Sequence, residues 1–125
     1  MIIAMDRIQE EVAEIARENG AELAVLFGSY ARGTATDRSD VDLIFVERTD
    51  LPFLKRLDRY FDPLVDRLGT SVETLVYTPE EFERMKDRSF IRRALKEGII
   101  LYESGKVPTR SGEVASAGAG GSEGG

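Results

Sequence analysis

The sequence predicts an α/β fold, a small mixed β-sheet packed by helices, and three observations lead there. Two apolar runs, Leu23–Phe27 and Val41–Val46, have the length of buried strands and are joined by a stretch of small and polar residues. Around them, segments with helical periodicity alternate with further β-rich runs, in the order helix, strand, strand, helix, strand, helix, helix, strand. A chain of 125 residues, 42% hydrophobic and 32% charged, can bury one core without disulfide staples.

The first helix is expected from about Asp6 to Glu18, where Ile8, Val12, Ile15 and Ala16 share a face, with Asn19-Gly20 as its left-handed stop. Strand Leu23–Phe27 follows. The connection of about thirteen residues to Val41 has room for one short helix near Tyr30–Arg32, less than a parallel crossover needs, so the first two strands should pair antiparallel. Thr49-Asp50 predicts the cap of a helix carrying Phe53, Leu54, Leu57, Phe61, Leu64, Val65 and Leu68. Pro63 should kink or split that helix near Phe61, and Gly69 should end it.

Ser71–Tyr77 is a third strand of β-formers with one acid, Glu73, out of keeping with it. Thr78-Pro79-Glu80-Glu81 predicts a helix start with proline in its first turn and a capping box, running to about Met85. Ser89 is the expected cap of a helix over Phe90–Glu97, stopped by Gly98, and Ile99–Tyr102 is a short fourth strand. Residues 1–105 should thus form one domain, and residues 106–125, mostly Gly, Ser and Ala, a flexible tail.

Composition removes several chemistries. The chain has no Cys and no His, which excludes Ser-His-Asp triads, Cys nucleophiles and zinc sites built on His or Cys. Any metal must be held by oxygen, which suits Mg²⁺, Mn²⁺ or Ca²⁺. No apolar run approaches the ~20 residues of a membrane span, and no signal-peptide pattern opens the chain, so a cytoplasmic protein is expected. A net charge of −6 argues against broad nucleic-acid binding, which needs a basic face.

The chemistry gathers in one stretch. Gly28-Ser29 closes the first strand, and after ten residues Asp40 and Asp42 open the second, two apart and so on one strand face. Gly28 lets backbone approach a ligand, Ser29 offers a hydroxyl to a phosphate oxygen, and Arg32 can reach the same group. If the Glu73 strand lies beside Val41–Val46, a third carboxylate joins the cluster, and crowded carboxylates call for cations. Singly these residues have ordinary readings: a turn for Gly28-Ser29, a strand-start cap for Asp40, a solubilising edge charge for Glu73, a surface cation for Arg32. Asp42, inside an apolar run, is the hardest to explain that way.

The segments FGSYARG, SDVDLIF, VETLVYTPEEF and ALKEGIILYE, spanning about Leu23 to Glu103, resemble the DNA polymerase β-like nucleotidyltransferase superfamily, and within it the minimal nucleotidyltransferase (MNT) proteins. The resemblance implies a palm-like nucleotidyltransferase fold and ATP-dependent nucleotidyl transfer. Gly28, Ser29 and Arg32 would sit at the nucleotide. Asp40, Asp42 and Glu73 would be catalytic and would bind Mg²⁺, with two ions expected and Mn²⁺ as a substitute. Glu73 stands where the superfamily often has Asp. The resemblance further implies an antitoxin that AMPylates a tyrosine of a HEPN-type ribonuclease toxin. A small-molecule nucleotidyltransferase and a non-catalytic binding antitoxin are the competing expectations.

Overall fold

The structure, a computed structural model, describes residues 2–105. The elements are α1 (Met5–Asn19), β1 (Leu23–Phe27), α2 (Gly28–Arg32), β2 (Val41–Val46), α3 (Phe53–Arg56), α4 (Asp58–Leu68), β3 (Val72–Tyr77), α5 (Pro79–Met85), α6 (Ser89–Glu97) and β4 (Ile99–Glu103). They form the mixed sheet expected from the sequence, in the spatial order β3-β2-β1-β4. The short connection does pair β1 and β2 antiparallel; β4 joins the other edge of β1 antiparallel, and β3 lies parallel to β2 after the crossover through α3 and α4.

Period-two alternation sends side chains to both faces of the sheet. On one face Ala24, Leu26, Val41, Leu43, Phe45 and Val76 pack with α1 and α4 through Ile8, Val12, Tyr60 and Leu64. On the other, Leu23, Val25, Ile44, Val46 and Tyr77 pack with α5 and α6 through Phe82, Ile91 and Ala94. At an apolar transfer energy of roughly 25 cal/mol per Å², these two clusters are the main source of stability. No described helix is long and apolar enough to cross a membrane.

Helix α1 stops as read, at Gly20 with φ of 77°. Helix α5 carries the full capping box: Thr78 accepts from the Glu81 N–H, and Glu81 accepts from the Thr78 N–H.

Three local readings are corrected. The long helix breaks at Leu57 rather than near Phe61, and α4 continues unbroken across Pro63. Proline has no N–H to give the Arg59 carbonyl one turn back; the Asn19 side-chain amide donates to that carbonyl instead, at 3.0 Å. Neither Thr49 nor Asp50 caps a helix: α3 begins after Pro52 with no side-chain cap, and the Thr49 hydroxyl accepts from the Leu51 N–H. The break turns Leu54 outward and brings Tyr60 inward, where it stacks on Phe45 with ring centroids 4.1 Å apart. Ser89 is the first residue of α6 and makes no cap bond. The expected tail, 106–125, lies outside the described residues.

Candidate active site

The turn from β1 into α2 builds one wall of the site. Gly28 has φ of 75°, a conformation that favours glycine, and a Cβ there would lie 2.1 Å from Asp42 Oδ2. A side chain at this position would drive the carboxylate away, so glycine sets how closely the turn and the acid approach. Ser29, next in α2, is half-buried beside it.

The strands supply the acids. In register, Asp42 stands opposite Phe27 of β1 and opposite Glu73 of β3. Directly paired residues share a sheet face, so all three emerge on the side that carries α5 and α6. Asp42 is partly buried and its carboxyl is hydrogen-bonded to Glu73. Burial pushes the Asp42 pKa up to about 6, helped by that hydrogen bond and by the charges of Glu73 and Asp40, against a smaller pull from the Arg32 cation. Asp42 is therefore poised to hold a proton well above the pH at which an ordinary strand aspartate has lost it.

Asp40 lies one residue ahead of β2 and is exposed. A turn holds it there: the Thr36 N–H donates to the Ser39 hydroxyl at 2.8 Å, and the Ser39 N–H to the Thr36 carbonyl at 3.0 Å. Its charge reaches Asp42. Yet among the described residues no three Asp or Glu side chains converge as a ready-made metal cage. The structure joins Asp42 and Glu73 directly and keeps Asp40 as an electrostatic neighbour. Arg32 extends over the same region, its guanidinium 3.6 Å from Glu97 of α6, with both side chains well exposed.

Two contributors escaped the sequence reading. Glu97 holds Arg32, and Phe90, at the start of α6, packs edge-to-face against Phe27 with centroids 5.5 Å apart. Nothing local marked Phe90: it stands one turn before Ala94, at the spacing of an ordinary packing residue, and only the structure shows it 51% exposed.

Known proteins resemble this chain in sequence and in fold. The profile of the nucleotidyltransferase domain matches residues 5–101. A provisionally named protein adenylyltransferase of Methanocaldococcus jannaschii is 36% identical over 78 residues, covering 62% of this chain and 75% of that one. Among solved structures, a toxin–antitoxin crystallised with AMP-PNP superposes with a TM-score of 0.59 at 21% identity, over 78% of this chain and 74% of that one. A complex of the tri-AMPylated Shewanella oneidensis HEPN toxin with its MNT antitoxin superposes with a TM-score of 0.52 at 18% identity, over 77% and 70%. At those identities the two superpositions show a shared fold.

Proposed function

The chain belongs to the nucleotidyltransferase domain family, and from that premise we propose that it transfers AMP from ATP to a hydroxyl of a partner protein. The acceptor on this reading is a tyrosine of a HEPN-type ribonuclease toxin, and the chain is its antitoxin. One observation carries the proposal: two hydrogen-bonded carboxylates, Asp42 and Glu73, face a Gly28-Ser29 turn that only glycine allows so near. A non-catalytic binding protein has no use for an acid that partial burial makes costly to ionise, set against a second, exposed carboxylate.

The donor set suits a hard divalent cation. Its ligands are all oxygen, and the proton that Asp42 holds beside Glu73 is what a cation would replace. Asp40, Asp42 and Glu73 would hold Mg²⁺ or Mn²⁺, which would neutralise the triphosphate and stabilise the charge gathering on departing pyrophosphate. The Ser29 hydroxyl donates to a phosphate oxygen, and Arg32, released from Glu97, adds its charge. The acceptor hydroxyl oxygen bonds to the α-phosphorus as the bond from that phosphorus to the bridging oxygen breaks. Pyrophosphate leaves, and the hydroxyl proton passes to a carboxylate oxygen of Glu73.

The partner supplies orientation. In-line attack needs the hydroxyl held against the α-phosphate, and a folded acceptor brings that rigidity with it. The net charge of −6 favours a basic partner, as an RNA-cleaving protein would be, and speeds encounter at low salt. The test is incubation with labelled ATP and Mg²⁺ in the presence of the neighbouring gene product or a panel of aminoglycosides and nucleotides. Label and an added AMP mass on the protein support the proposal. Label confined to small molecules, with the partner at its unmodified mass, replaces it with the small-molecule reading.

A further inference from the structure

The row Phe27, Asp42, Glu73 places an aromatic ring beside the acid pair on one sheet face. Phe27 is partly buried against the α6 side of the core. Phe90 closes on it edge-to-face, with an interplanar angle of 87°, and remains 51% exposed. The contact fixes the plane of the Phe90 ring while leaving much of its surface to solvent. An exposed phenylalanine is usually without consequence. This one is braced by a second ring, and that ring, Phe27, is the register partner of Asp42.

We propose that Phe90, held in plane by Phe27, is the platform on which the purine base of the nucleotide stacks. The inference rests on the nucleotidyl-transfer reading and adds to it the recognition of the base. A nucleotide's base lies one ribose away from its α-phosphate, and the Phe90 ring packs directly on Phe27, the strand neighbour of Asp42. With the α-phosphate at the acids and the outer phosphates on Gly28-Ser29, the base extends toward α6. Stacking needs only a π-face, so the platform accepts either purine and disfavours the smaller pyrimidines.

Equilibrium binding of the full chain, with Mg²⁺ present, tests this without any acceptor. Three ligands are titrated: ATP, CTP and inorganic tripolyphosphate. Phe90→Leu should weaken ATP by roughly tenfold or more, the loss typical of one aromatic stacking partner, and leave tripolyphosphate unchanged. Phe90→Tyr should restore ATP binding, and the unaltered chain should bind ATP more tightly than CTP. Unchanged ATP affinity in Phe90→Leu, or equal weakening of ATP and tripolyphosphate, overturns the stacking role alone. Failure of the unaltered chain to bind ATP or tripolyphosphate overturns the nucleotidyl-transfer reading, and the platform with it.

Discussion

Strand β2 is flanked by two acids that the fold treats in opposite ways. At its C-terminal end Glu47 is 4% exposed, yet it is answered in full: Arg59 forms an ion pair with it, and the Tyr60 hydroxyl donates to it at 2.5 Å. Burial, then the bond to Glu47, pushes the Tyr60 hydroxyl far above its ordinary range, so it stays a donor. At the other end Asp42, less buried, meets Glu73 instead, with Asp40 nearby and Arg32 already engaged by Glu97. A buried acid given cations and donors is neutralised within the fold; a partly buried acid given another acid is, on the proposed reading, left for a ligand to neutralise.

The sharpest way to break this contrast is to remove charge at the Asp42 end. Asp42→Asn, nearly equal in volume, should keep the fold and lower AMP transfer by about a thousandfold, the several kcal/mol expected when cation-assisted charge stabilisation is lost. Normal turnover by the folded variant would place the chemistry elsewhere. Gly28→Ala comes next. The positive φ costs about 1–2 kcal/mol for a residue with a Cβ, and the Asp42 carboxylate must also rotate away from a methyl built 2.1 Å from its Oδ2. Nucleotide affinity should fall more than stability does, which paired titration and denaturation would read out.

At the Glu47 end the order reverses. Glu47→Gln should destabilise by about 2–3 kcal/mol, because Arg59 and Tyr60 lose a charged acceptor, while transfer by the remaining folded protein is unaltered. Equal loss of activity would show that the two ends are coupled through β2. The smallest effect concerns pH. The Asp42 pKa is raised from 3.8 to about 6, so the folded state holds a proton that the unfolded chain has released across that interval. Stability should therefore fall as pH rises from about 4 to about 6 and level off above, with the cost fully present at neutrality. Asp42→Asn should flatten that part of the profile and raise the metal-free thermal midpoint at pH 7.

Much of this was legible in the chain because it is local. Period-two and helical spacing, the Gly20 stop and the Thr78–Glu81 box involve residues within a turn of one another, and they formed as read. The length of the Gly28–Asp40 connection was enough to set the first pair antiparallel. Glu73 announced itself as an acid among β-formers, and the β2–β3 register then set it opposite Asp42.

What tertiary structure decided alone depends on partners distant in sequence. Pro63 reads locally as a break, but Asn19, 44 positions earlier in the chain, satisfies the carbonyl that proline orphans, and the helix continues. Leu54 and Phe61 were read on the apolar stripe and are exposed, whereas Tyr60, which was not, is buried by its packing on Phe45. Arg32 reads as a phosphate ligand, and the docking of α6 gives it Glu97. Periodicity specifies which residues can face inward, whereas the buried carbonyl, carboxylate or ring that each will meet is set by chain crossings that no local window contains.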